Sequence, residues 1–315
     1  MKVIEHLQQA RQPLISFEIV PPPRGRSAKE VLDAVESLAE LNPSWIDVTS
    51  HKSTIEYVEN ADGSIHKKTI RKRPGTLGLC GIIQNRFHID TVAHLLCLGF
   101  SREETEDALI ELNYLGVHNI LALRGDSPDH PLVSSKKSTR NEYADSLVKQ
   151  IKDLSLGHFI DELEQASALD FGIGVAGYPE KHFEAPCLKT DVENIKRKVD
   201  AGADYVVTQM FFDNNQYFEF VKKCREAGIT VPIVPGIKIL QSVKQLTNLP
   251  KNFYIDLPEE LVEQVQKNPE RVQQIGQDWA LSQMQGLLDG GAPCLHLYVL
   301  NNVKATVDVV KRLKR

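Results

Sequence analysis

Residues 14–20 read LISFEIV and alternate one by one, with Ile15, Phe17 and Ile19 on one face and Ser16, Glu18 and Val20 on the other. A helix laid on the apolar face would turn Glu18 inward. An unpaired carboxylate is costly to bury and is driven toward its protonated form, so a residue of that kind is usually kept for proton transfer. A carboxylate solvated at the strand end reads equally well from this stretch alone. Residues 45–49, WIDVT, repeat the arrangement, with Asp47 and Thr49 opposite Ile46 and Val48. His94 falls inside the apolar run 91–97, where a lone histidine is more often a satisfied core residue than a catalyst. Arg124, Gly125 and Asp126 follow the run 118–123 at once and bring a cation, a flexible glycine and an anion to one strand end. Tyr178, Glu180 and His182 follow the run 171–176, Gln209 follows 205–208, and His296 and Tyr298 share one face of 294–300.

Such residues need a scaffold that sets strand ends side by side. The stretch 171–213 contains its repeating unit: an apolar run ending at Gly177-Tyr178-Pro179, a helical segment, and a second apolar run. Val192, Ile195 and Val199 fall at three- and four-residue spacing, and Gly202 stops the helix. Asp191 in the first turn and Lys196, Arg197 and Lys198 toward the last suit the helix dipole. A strand–helix–strand unit of this kind makes its two strands parallel. A further strand is predicted at 231–236. Helices are predicted at 28–41, 101–115 (with Ser101 as cap), 141–154, 215–227, 243–249 and 301–313, with two or three more within 258–288, one starting at Pro269. Residues 75–87 can form a helix, and 157–168 read as an amphipathic insertion. Eight strands, each followed by helix, in 315 residues predict an α/β fold, a single-domain (β/α)8 TIM barrel over 1–315 with its site at the C-terminal strand ends. A dinucleotide-binding sheet would carry a Gly-rich fingerprint after the first strand, where this chain has PPPRGRS.

Composition narrows the partners. A net charge of −5 gives no reason to expect nucleic acid, and no apolar run approaches the length of a membrane span. The start MKVIEHLQQARQ has no signal-peptide core, and the five scattered cysteines suit free buried thiols in a reducing cytosol, so a cytoplasmic protein without a metal site is expected. Residues 50–73 form a long polar segment with a turn signal at Asn60-Ala61-Asp62-Gly63. Its cations, His66, Lys67, Lys68, Arg71, Lys72 and Arg73, can bind a phosphate or a polyglutamate tail, although such a run is more often a solvated helix face.

The motifs FEIVPP around Glu18, DVTS around Thr49, AHLLC around His94, ALRGD around Asp126 and EYAD around Tyr143 then recur in a recognisable order. They continue as AGYPEKHFEA from Ala176, NIKRKVDAGADYVVTQMFFD from Asn194, VPGI at Val234 and LYVLN around Tyr298. In this order and spacing the chain resembles the 5,10-methylenetetrahydrofolate reductase family, in its bacterial catalytic-barrel form, over nearly its whole length. The resemblance implies an FAD enzyme that takes electrons from NADH or NADPH and reduces 5,10-methylenetetrahydrofolate to 5-methyltetrahydrofolate by ping-pong hydride transfer, feeding methionine synthesis. A homo-oligomer is consistent with the family.

The resemblance also implies roles. Glu18 is similar to the acid that assists opening of the folate's imidazolidine ring, and Asp126 to an anion that stabilises the cationic folate and moderates the flavin potential. Gln209 resembles a pterin-binding amide, and Tyr298 matches a residue near the substrate. Flavin binding falls to Thr49, His94, Leu123, Arg124, Gly125, Asp126, Tyr143, Ala144, Tyr178, His182, Asp191, Asn194, Arg197 and Lys198, with Arg197 and Lys198 facing the diphosphate and Tyr178 as an aromatic wall. The chain departs from the family at Val243, which stands where a Phe packs on nicotinamide and folate, and at Lys238, where a hydrophobic residue is usual. Residues 50–84 are longer than the family's short Gly-rich loop. The large C-terminal regulatory domain of eukaryotic relatives is not expected, nor is feedback by S-adenosylmethionine. Among alternatives, Asp126 and TQMFFD argue against an amino-acid-oxidising flavin barrel such as proline dehydrogenase, and Glu18 with Asp126 argues against a silent binder. A flavin-free folate reductase is the remaining alternative.

Overall fold

The two-residue alternation becomes a closed barrel in the computed structural model, which describes residues 1–51, 54–70, 73–125, 139–299 and 303–313. In chain order the strands are β1 Leu14–Ile19, β2 Trp45–Val48, β3 Thr54–Glu59, β4 Ile65–Ile70, β5 Asp90–Leu96, β6 Asn119–Leu123, β7 Gly172–Gly177, β8 Tyr205–Met210, β9 Ile233–Ile237 and β10 Cys294–Tyr298. The helices are α1 Val3–Gln9, α2 Lys29–Ala39, α3 Thr76–Phe87, α4 Arg102–Tyr114, α5 Ala144–Ser155, α6 Leu188–Asp200, α7 Asn214–Glu226, α8 Gln245–Phe253, α9 Glu259–Lys267, α10 Val272–Asp289 and α11 Val303–Arg312. Strands β1, β2, β5, β6, β7, β8, β9 and β10 pair in parallel in that order, and β10 returns to β1 to close the barrel. The (β/α)8 architecture expected from the sequence is therefore the observed one.

Two apolar layers hold it. Outward residues such as Ile15, Phe17, Ile46 and Val48 pack under helices through Val35, Leu38 and their neighbours. Inward residues Trp45, Val92, Leu121, Tyr205, Val207, Val234 and Cys294 fill the lower barrel together with Val3 of α1. Gly174 makes room for this filling, because a Cβ there would stand 2.4 Å from the Tyr205 ring. Helix α1, not foreseen in the sequence, closes the N-terminal end of the barrel. The Val3 amide donates to Asn119 Oδ1 at 2.7 Å, and Asn119 Nδ2 donates to the Met1 carbonyl at 3.0 Å. Ser101 caps α4 as expected, in a reciprocal box with Glu104.

Three expectations are corrected. Residues 54–70 are an antiparallel hairpin, with Thr54 opposite Ile70 and Glu59 opposite Ile65, so His66, Lys67 and Lys68 lie on a strand and not on a helix face. The β-branched and aromatic residues of TIEYV set the strand period, and Asp62-Gly63, with Gly63 at φ +77°, makes the turn. Arg71 and Lys72 lie outside the described residues. The stretch 157–168 holds no helix: Gly157 at φ +78° ends α5, and the chain continues in turns with Ile160 and Leu163 exposed. Cys187 is exposed, whereas Cys80, Cys97, Cys224 and Cys294 are buried free thiols.

Candidate active site

Parallel register decides which inward side chains meet. It sets Glu18 beside Asp47 on β2 and beside Tyr298 on β10. Asp47 is fully buried, and its Oδ2 lies 3.2 Å from His94 Nε2, which must carry the hydrogen to bond a carboxylate. The same His94 nitrogen is 3.7 Å from Glu18 Oε2. On the other side, His296 Nε2 is 3.8 Å from Glu18 Oε2, and His296 Nδ1 is 2.8 Å from Ser16 Oγ. Two carboxylates and two imidazoles thus share one buried chamber. Burial works against the His296 imidazolium, but the Asp47 and Glu18 carboxylates outweigh it and raise its pKa. Asp47 Oδ1 and His296 Nε2 have no hydrogen-bond partner among the described residues.

The wall beside this chamber is built by Tyr298. Its hydroxyl donates to the Thr208 carbonyl at 2.6 Å, across β9, and burial keeps it neutral with a pKa well above 10. Gly236 makes that crossing possible, because a Cβ there would come within 2.7 Å of the Tyr298 ring. Lys238, just past β9, donates to the Tyr298 carbonyl at 3.1 Å. Gln209 sits at the end of β8, where its Oε1 accepts from the Met210 amide at 2.9 Å.

A second group gathers at the ends of β6 and β7. Arg124 is held by Glu184 at 2.6 and 2.7 Å, which raises its pKa, and its guanidinium carbon stands 5.9 Å from the Tyr143 ring centroid. Leu123 ends β6 against the barrel interior, and Gly125 takes φ +84°, a conformation that favours glycine. Tyr143 is the N-cap position of α5 and Ala144 its first residue. Tyr178 and His182 meet edge to face at 4.7 Å. The His182 amide donates to Asp191 Oδ2 at 2.8 Å, and His182 Nδ1 accepts from the Glu184 amide at 3.2 Å. Burial lowers the His182 pKa and raises that of Asp191. Lys198 leans back along α6 to donate to the Ala176 carbonyl at 2.6 Å, and burial lowers its pKa to about 8. Arg197, 65% exposed, instead bonds Asn194 and stands 3.9 Å from Asp145.

Asp126 lies outside the described residues. Asp47 and His296 were not assigned roles from the sequence, although both stood on the polar face of an alternating strand. A cavity of about 490 Å³ between the start of α7, α9 and α10, lined by Asp213, Glu260 and Trp279, shares no residue with either group. Among the described residues no cluster of His, Cys, Asp and Glu suits a metal ion, and no helix is long and apolar enough to cross a membrane.

The donor set fits a flavin dinucleotide. Thr49 Oγ1 is buried with no hydrogen-bond partner among the described residues, so a polar ligand atom there would satisfy it. Arg124 and Lys198 are cations of the kind that phosphates require, and the Tyr143 ring stands beside Arg124.

Residues 2–314 match the family model of methylenetetrahydrofolate reductase. The probable methylenetetrahydrofolate reductase (NADPH) of Caenorhabditis elegans is 30% identical over 314 residues, covering 98% of this chain and 43% of that protein. Methylenetetrahydrofolate reductase 2 of Saccharomyces cerevisiae is 32% identical over 99% of this chain and 50% of its own length. The chain therefore spans about half the length of these relatives. The 5,10-methylenetetrahydrofolate reductase of Pectobacterium carotovorum is 28% identical over 95% of this chain and 89% of that protein. Among solved structures, an uncharacterized protein from Clostridium thermocellum that binds two copies of 5-methyl-5,6,7,8-tetrahydrofolic acid superposes with a TM-score of 0.60, at 14% identity over 98% of this chain and 97% of that one, a likeness of fold. By the match over nearly all its length, this chain belongs to the methylenetetrahydrofolate reductase family.

Proposed function

We propose that this protein reduces 5,10-methylenetetrahydrofolate to 5-methyltetrahydrofolate with NADH or NADPH, using FAD in a ping-pong cycle that feeds methionine synthesis. The observation that carries the reading is Glu18, turned into the barrel between two imidazoles in a chain whose family match runs end to end. FAD, when bound, supplies two-electron transfer from the nicotinamide to the folate's methylene carbon as hydride. Thr49, Arg124, Tyr143, Tyr178, His182, Asp191 and Lys198 would hold it, and Asn194 with Arg197 would border its phosphates. Glu18 gives its proton to the amine nitrogen that leaves the methylene carbon, which opens the imidazolidine ring to the reactive iminium cation. Asp47 accepts the His94 Nε2–H, which fixes the imidazole beside the Glu18 carboxyl group before substrate arrives. Gln209 would read the pterin edge, since an amide both donates and accepts. Asp126, by the family resemblance, would supply an anion for the developing positive charge.

The decisive experiment is one cuvette: the visible spectrum of the purified protein, taken anaerobically before and after NADH and again after methylenetetrahydrofolate. A flavin spectrum that bleaches with the nicotinamide and returns with the folate is the expected result. A colourless protein that FAD does not reconstitute overturns the flavin assignment and leaves a flavin-free reductase or a binder.

A further inference from the structure

Lys238 is only 3% exposed, yet nothing in the chemistry above uses it. The β9–β10 register pairs Gly236 with His296 and Ile237 with Leu297, and the β1–β10 register pairs Glu18 with Tyr298. One further step sets Lys238, Tyr298 and Glu18 in a single row across three neighbouring strand ends. Nζ reaches along that row to the Tyr298 carbonyl at 3.1 Å. A lysine ammonium carries three donors, and one neutral carbonyl is poor compensation for its lost water. The charge that favours the ammonium is the Glu18 carboxylate, while burial opposes it and brings the Lys238 pKa down to about 8. An amine so placed releases its proton within the ordinary pH range, which an exposed lysine does not.

We propose that Lys238 is a positioning residue for Glu18, storing on its amine the proton that Glu18 delivers to the folate. The proposal rests on the functional reading above. Glu18 gives its O–H proton to the departing amine nitrogen. The carbon–nitrogen bond breaks with its electron pair going to that nitrogen, and the lone pair of the other ring nitrogen forms the iminium double bond. The Lys238 ammonium then returns a proton to the Glu18 carboxylate through a bridging water, and the neutral amine takes one from solvent at the barrel mouth. One proton enters from solvent per turnover, and no electron passes through Lys238. The lysine bonds the Tyr298 carbonyl of β10 and feels the Glu18 charge from β1, with His94 of β5, Asp47 of β2 and His296 of β10 grouped around Glu18.

The test follows the rate of the folate half-reaction against pH in wild type, Lys238→Met and Lys238→Arg, with the nicotinamide half-reaction of each protein reporting its folding and cofactor content. Wild type should slow about tenfold per pH unit above about pH 8. Lys238→Met should be at least about tenfold slower near pH 7.5 and lose that break. Lys238→Arg keeps the charge but holds its proton, so it should fail to rescue the rate. An arginine variant with the wild-type profile overturns proton storage, and a methionine variant with the wild-type profile overturns any role. Independently, the lysine amine signals are titrated by NMR in wild type and Glu18→Gln, where loss of the carboxylate should lower the Lys238 value. A value that does not move overturns the pairing even if the wild type never consumes folate, an outcome that would instead sink the functional reading.

Discussion

Glu18 illustrates how a single side chain acquires a role from its surroundings. At 3.7 Å from His94 and 3.8 Å from His296, it stands close enough to feel both imidazoles. Glu18→Gln preserves the shape of the side chain and removes the transferable proton. The variant should still be reduced by nicotinamide, while its folate half-reaction falls by about 10²- to 10⁴-fold, the range a general acid contributes. Stopped-flow absorbance on the two half-reactions separates these effects. Lost cofactor, or a lost nicotinamide step, would show that Glu18 acts on binding and not on proton transfer.

At the scale of elements, the loop after β7 is tied to the loop between α8 and α9 by Glu180, whose Oε2 accepts from the Asp256 amide at 2.6 Å. Burial raises the Glu180 pKa from 4.5 to about 7; the Asp256 amide opposes the rise, and the Asp256 and Asp213 charges add to it. Because this folded-state value lies above the unfolded one, the native protein binds the extra proton between those limits. Stability therefore falls as pH rises from about 4.5 to about 7. Glu180→Gln keeps an acceptor oxygen for Asp256 and removes the charge. It should be more stable than wild type by about 1 kcal/mol at pH 8, allowing for solvent screening, and indistinguishable near pH 4. Urea unfolding at the two pH values checks this; no gain at pH 8 would mean that the carboxylate is solvated. Glu180, which the sequence sets beside Tyr178 and His182, is thus a tether between loops.

For the whole molecule, stability and chemistry sit at opposite ends of the barrel. Val3 of α1 is fully buried against Trp45, Val92 and Tyr205 at the N-terminal end, while the ionisable chamber opens toward the C-terminal end. Val3→Ala should cost about 2 kcal/mol through lost burial and the cavity left behind, with cofactor content per folded protein unchanged. Denaturant midpoints with a parallel flavin assay would measure both. A loss of cofactor without a loss of stability would show that α1 reaches the site after all.

Much of this was legible locally. The alternation in LISFEIV and WIDVT placed Glu18 and Asp47 on inward faces, and the count of strand and helix periods led to the barrel, because side-chain period follows directly from backbone geometry. The hairpin at 54–70 and helix α1 were missed: the hairpin's charges masked its two-residue period, and α1 has only seven residues. What the one-dimensional pattern does not contain is which inward residues touch. His94 meets Asp47 across 47 positions and His296 meets Ser16 across 280, contacts set by strand order, register and barrel closure. The sequence alone determined the eight barrel strands, their faces and the residue types lining the interior. Only the tertiary structure decided that two carboxylates, two imidazoles and one lysine share a desolvated chamber, because charge coupling depends on distance through space and not along the chain.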